Sequence, residues 1–162
     1  ISGDGRFVVF QSAASNLIPY SPNLPDNSLT DIYLRNRDKS ANGIFDEPAD
    51  VETKYVSTTD AQIPLASGSP DNTSAPFIGR NGEEILFLST GLTLDDQSNS
   101  INIYRHERVT ETTRRVPLSA DQDFTRVAFS ADGRSIIFTT NASNILPHQT
   151  ATGFNVYKKG PN

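Results

Sequence analysis
Cysteine and tryptophan are both absent from the chain. Without cysteine there is no disulfide and no thiolate zinc site. That absence does not fix a compartment, since a secreted bacterial protein need not carry disulfides. Without tryptophan a sugar-binding reading is weakened, because sugar sites usually stack rings on aromatic side chains. Positive charge is also short, with 14 basic against 19 acidic side chains and a net charge of −5. Nucleic-acid binders usually show a basic patch, so no nucleic-acid partner is expected. The same balance argues against an anionic membrane surface. No apolar run approaches the roughly 18–20 residues of a membrane-spanning helix. Helical periodicity is missing too: no stretch keeps apolar residues at i, i+3, i+4 and i+7 over three turns. The 162 residues still suffice for one domain with a real core.

What the chain does have is short β-type runs separated by Gly, Pro, Asn, Asp and Ser. Phe7–Phe10, Ile85–Leu88 and Ile136–Phe138 are continuously apolar, the pattern of strands buried on both faces. Each follows a turn dipeptide: Asp4-Gly5, Asn81-Gly82 or Asp132-Gly133. Such dipeptides suit two-residue hairpin turns in which both central residues take positive φ. A strand before the turn is visible at Ser74–Ile78 and Thr125–Phe129. A third strand follows at Asp31–Arg35, Asn102–His106 and Asn155–Lys159. Each of these carries a tyrosine at the same place, Tyr33, Tyr104 and Tyr157, expected to pack in the core or between units. A more polar fourth strand follows twice, at Val51–Val56 and Glu111–Val116, suited to an outer position facing water.

The stretch Ser2–Leu17 is thus nearly rewritten at Ser130–Ile145 because a structural unit repeats. Units of about 50 residues with four strands each are the signature of β-propeller blades. The residues Ser2, Asp4, Gly5, Arg6, Phe10 and Ala14–Leu17 resemble the TolB-type (WD-like) β-propeller repeat. Ser130, Asp132, Gly133, Arg134, Phe138 and Ala142–Ile145 carry the same resemblance, as do the third strands Asp31-Ile32-Tyr33 and Asn155-Val156-Tyr157. The middle copy, residues 79–87, is more diverged. The resemblance implies an all-β fold: an incomplete propeller arc of about three four-stranded antiparallel blades. Residues 1–60 form a blade lacking its first strand, with an insert at 38–50. Residues 61–120 form a complete blade, and residues 121–162 a blade lacking its fourth strand. Closed propellers usually need about four to eight blades, so the arc is expected to be completed by further chain or by a partner. A fragment of a longer propeller is the favoured reading, since both ends fall inside blades; a homo-oligomer or a place in a larger complex is the alternative.

Among residues that carry chemistry, the insert Asp38–Pro48 has the sharpest pattern. Oxygen side chains at Asp38, Ser40, Asn42 and Asp46 occupy positions 1, 3, 5 and 9 of a loop, with Gly43 at 6. That spacing wraps a chain around a hard cation such as calcium, with Ile44 offering its carbonyl at position 7. Two departures stand out: Ser40 is a weak ligand, and Ala49 stands at position 12, so Glu47 or Asp50 must supply the missing carboxylate. The alternative is a plain polar turn. The cluster Asp95–Asn99 reads as a solvated loop. The only histidines are His106 and His148. His106, between Arg105 and Glu107, is expected to face solvent, and His148 to be a variable loop residue. No nucleophile elbow occurs in the sequence, and no catalytic residues are assigned. No Gly-rich phosphate loop with a following Lys is present either, and no cofactor-binding residues are assigned.

The resemblance implies a non-enzymatic protein-binding or scaffold module of a bacterial envelope or secreted assembly, periplasmic or extracellular. Its contact loops would be around 19–30, 93–100 and 147–153. The alternative is the propeller portion of a larger hydrolase or peptidase whose catalytic domain lies outside this chain.

Overall fold
In the computed structural model, residues 1–19, 30–58, 73–90, 101–118, 120, 123–148 and 152–160 are described. Ten strands and no helix occur among them. The strands are β1 (Phe7–Ser12), β2 (Asp31–Asn36), β3 (Glu52–Tyr55), β4 (Thr73–Ile78), β5 (Glu84–Ser89), β6 (Asn102–Glu107), β7 (Thr112–Arg115), β8 (Phe124–Phe129), β9 (Ile136–Thr140) and β10 (Asn155–Lys159). Every strand expected from the sequence is present, within two residues at its ends. They form three antiparallel sheets, β1-β2-β3, β4-β5-β6-β7 and β10-β9-β8. None closes into a barrel.

The hairpin turns differ from the expected two-residue form. Ser2 N–H donates to the Phe7 carbonyl and Gly5 N–H to the Ser2 carbonyl, so the loop spans four residues, 3–6. The same pair of bonds recurs at Gly79/Glu84 and at Ser130/Ser135. Only the glycine takes positive φ: +77° at Gly5, +73° at Gly82 and +71° at Gly133. The aspartate does something else. Asp4 Oδ1 accepts Ser2 Oγ–H at 2.5 Å and Arg6 N–H at 3.0 Å, and Asp132 Oδ1 accepts Ser130 Oγ–H at 2.5 Å and Arg134 N–H at 3.1 Å. The serine hydroxyl in turn accepts the amide of Phe7 at 2.9 Å or Ser135 at 3.0 Å. The repeated Ser-x-Asp-Gly-Arg is therefore a self-bonded loop.

The sheets stack face to face, β1 and β2 on β4, then β4, β5 and β6 on β8. Two apolar clusters fill the gaps. Phe7, Ile32, Leu34, Val56, Ile78, Ile85, Phe87 and Tyr104 form one. Leu86, Leu88, Ile103, Val116, Phe124, Val127, Phe129, Ile136 and Phe138 form the other. Strand β5 supplies alternate residues to both, so its apolar run is buried on both faces, as expected. For β1 and β9 that expectation fails. Val8, Phe10 and Ile137 are only half-buried, since among the described residues no sheet packs on the face they take, while Val9 packs on the first cluster. The recurring tyrosines do pack as the sequence implies. Tyr33 stacks on Phe10, Tyr104 on Phe87 and Tyr157 on Phe138, each at 5.7 Å between centroids.

Candidate functional site
Residues 37–50 fold back on the first hairpin turn. Arg37 is the pivot: Nη1 donates to the Gly5 carbonyl at 3.0 Å, Nη2 to Asp46 Oδ2 at 2.6 Å, and the guanidinium lies 4.7 Å from the Phe45 ring centre. Asp46 is held below the usual carboxylate range by that hydrogen bond. Asp38 is 3% exposed. Its two oxygens accept the amides of Asn42 at 2.9 Å and Gly43 at 2.8 Å. Burial pushes its carboxyl up, but those amides and nearby Arg6 outweigh burial and hold it low. Glu47 accepts Asn42 Nδ2–H at 2.7 Å, and Asp50 accepts both the amide and the hydroxyl of Ser40 at 2.8 Å. Asn42 Oδ1 accepts the Ile44 amide at 2.7 Å, leaving the Ile44 side chain exposed.

The six candidate ligands, Asp38, Ser40, Asn42, Ile44, Asp46 and Glu47, thus share one loop held by its own hydrogen bonds. Each carboxylate faces a different donor. Among the described residues no group of three or more His, Asp or Glu side chains is placed to hold a metal. The arrangement as it stands serves as a pin, fixing the excursion between β2 and β3 against the β1 turn.

His106 is not at the surface. It is 5% exposed, and Nδ1 lies 3.0 Å from Thr113 Oγ1. Strand alternation explains the correction: His106 sits opposite Ile85 and Thr113, on the face turned to the first sheet. Arg105 and Glu107 take the other face and are the exposed ones. Burial lowers its pKa to about 4, against the pull of Glu111 and Glu107. His148 is exposed, as expected. Asp95–Asn99 lies outside the described residues, as do most of the expected contact loops: 20–29, 93–100 and 149–151.

The sequence did not point to the two gaps between sheets, which differ sharply at the turn end. Between the first and second sheets lies a small pocket of about 130 Å³, lined by Phe7, His106 and Arg108. Arg108 narrows the gap, lying 4.3 Å from the Phe7 ring centre and donating Nε–H to the Gly82 carbonyl at 2.8 Å. Lys54 closes the rim with an ion pair to Glu111 at 2.7 Å. Between the second and third sheets lies a cleft of about 1120 Å³. Its floor includes Val116, Phe129 and Ile136, and its walls carry Arg80, Arg114, Arg134 and Lys159. Glu84 is paired with Arg105 there, and Asp132 is bound into its own turn.

No protein-family model matches the chain, and no curated protein does. Among solved structures it is similar to TolB from Acinetobacter baumannii, with a TM-score of 0.54 over 98% of this chain. The chain has a TolB-like fold. Identity to that protein is 15%, and the match spans 28% of its length. At that identity the TolB-like likeness concerns architecture. It supports a propeller-like stack for the three sheets, in keeping with the resemblance carried by Ser2–Leu17 and Ser130–Ile145.

Proposed function
We propose that the chain is an open arc of about three propeller blades and works as a protein-binding or scaffold module without catalytic activity of its own. The observation that carries this reading is the stack of three antiparallel sheets, which superposes on TolB along 98% of the chain. Propellers recognise partners with loops at the sheet ends and with grooves between blades, and a cleft of about 1120 Å³ lies between the second and third sheets. The repeat family's usual setting supports a periplasmic or extracellular location in a bacterium. Chemical cross-linking of the native protein in its source organism, followed by identification of the joined chains, tests the reading. A defined protein partner is expected. A native protein that stays unlinked and cleaves ester or peptide substrates would support the alternative, the propeller part of a hydrolase.

For residues 38–50 the same reading assigns a structural role. The loop is held by its own hydrogen bonds, and calcium is the alternative its ligand spacing supports. An ion there would have to draw Glu47 from Asn42 and Asp50 from Ser40. EGTA is expected to leave Tm unchanged. A fall that calcium restores would make Asp38, Asn42 and Glu47 ligands of a structural ion.

A further inference from the structure
We infer that the mouth of the cleft between the β4–β5 and β8–β9 turns binds an acidic peptide segment of a partner protein, with Arg80 and Arg134 taking its carboxylates. The inference rests on the protein-binding reading and names the chemistry of the partner.

Charge singles the mouth out. Among the described residues, Arg80, Arg114, Arg126, Arg134, Lys158 and Lys159 are the basic side chains that make no hydrogen bond or ion pair. Arg80, Arg114, Arg134 and Lys159 line this one cleft. The carboxylates beside them are already engaged. Glu84 pairs with Arg105, and Asp4 accepts the Ser2 hydroxyl and the Arg6 amide of its own turn. The Ser130 hydroxyl, the Arg134 amide and the Arg134 charge together hold the Asp132 carboxyl low. In a chain of net charge −5, unanswered positive charge gathered in one cleft marks it for an anion.

The turns themselves build the mouth, and each lies between two described strands. The first two turns close on each other: Gly3 N–H donates to the Arg80 carbonyl at 2.7 Å, and a Cβ on Gly82 would clash with Phe7. The second and third turns stand apart, and a Cβ on Gly133 would meet nothing. Where the first sheet starts β1 with Phe7, the second starts β5 with Glu84, which turns to Arg105 instead of reaching across. Gly3 also fixes Arg80. A Cβ there would lie 2.7 Å from Arg80 Cγ and 2.9 Å from its carbonyl oxygen, so the stem of Arg80 passes where only glycine leaves room. Its backbone and stem are held while its guanidinium stays unpaired, a preorganised cation. Arg134 follows Gly133 on the facing turn. Guanidinium groups take carboxylates in bidentate pairs, which favours aspartate or glutamate side chains as their partners. Phe129 and Ile136, paired directly behind the third turn, floor the mouth and suit an apolar residue between the acidic ones.

The test titrates the whole chain with a blocked peptide, Glu-Asp-Leu-Asp-Glu, by calorimetry at low salt. Binding is expected, and it should weaken as salt is raised. The amide version, Gln-Asn-Leu-Asn-Gln, should not bind. Arg80→Ala and Arg134→Ala should each weaken binding about fivefold, the size of one partly exposed ion pair. Gly3→Ala should weaken it too, with no change of charge, because Arg80 must move. Arg126→Ala removes an unpaired cation outside the cleft and should leave binding unchanged. Circular dichroism and urea unfolding check that each variant is folded. No binding at millimolar peptide, equal loss in Arg126→Ala and Arg80→Ala, or inorganic phosphate binding as tightly as the peptide would each overturn the inference. Cross-linking can find no partner while the peptide binds, and can find one while the peptide does not, so the general reading and this one fail separately.

Discussion
Gly82 and Gly133 hold the same place in their turns, with φ near +70° in both. Their surroundings differ. A Cβ on Gly82 would sit 2.7 Å from Phe7 Cδ2 and 3.3 Å from Ser2 Cβ, whereas one on Gly133 would meet nothing within 4 Å. Gly133→Ala is therefore expected to cost only the left-handed backbone strain, about 1–2 kcal/mol. Gly82→Ala should cost that plus displacement of a core phenylalanine, about 1–3 kcal/mol more. Urea unfolding of the two variants reads the difference directly. His106 gives a pH signature at the same scale. Its folded pKa, about 4, lies below the ordinary 6.5, so the unfolded chain binds the extra proton first. Stability from this group is fully present above pH 6.5 and falls as pH drops toward about 4, by up to about 3 kcal/mol. The carboxyls of Asp4, Asp38, Asp46 and Asp132 are all lowered from 3.8, so their loss belongs to more acid solution. A plot of Tm against pH should slope through that window, and His106→Gln should flatten it. An unchanged slope in the variant would assign the effect elsewhere.

Among elements, β5 differs from β1 although both read as apolar runs. Leu86 is 0% exposed in the cluster between the second and third sheets, while Val8 is half-buried. Leu86→Ala is expected to cost about 3 kcal/mol or more, and Val8→Ala about 1 kcal/mol. Equal losses would mean that β1 is covered on its outer face as β5 is. The turns add a second comparison. Ser2 is 4% exposed and its hydroxyl is the partner of the buried Phe7 amide. Ser2→Ala leaves that amide unsatisfied and should cost about 1–3 kcal/mol. Ser130→Ala, in the more exposed copy, should cost less, and paired denaturation curves check the order. Strand positions were legible because turn residues punctuate apolar runs. The turn mechanism was not. Asp-Gly alone suggests a two-residue hairpin, whereas all three turns close as four-residue loops, the one without a serine at Gly79 included.

For the whole molecule, stacking decides what each face meets. Among the described residues the middle sheet has neighbours on both sides, and the outer sheets have one each. That placement leaves Val8 and Phe10 half-covered and Val156 bare. It also explains why the calcium-like spacing of the 38–50 insert was legible while its arrangement was not. Spacing lists the oxygens, but Arg37, which takes Asp46, and the Gly5 turn, which takes Arg37, come from the fold. The cleft was not legible in the sequence: the equivalence of Lys54 and Arg114 in two fourth strands comes from the strand register.

Local chemistry in the sequence determined the ten strands, their grouping by repeat and the tyrosine that marks each third strand, because turn propensity and period-2 burial act over a few residues. Tertiary structure decided which runs are buried twice, why His106 is neutral and buried, how the insert's carboxylates are distributed, and where the cationic cleft lies. Those properties depend on which sheet faces which, and long-range stacking is not written in any single stretch of chain.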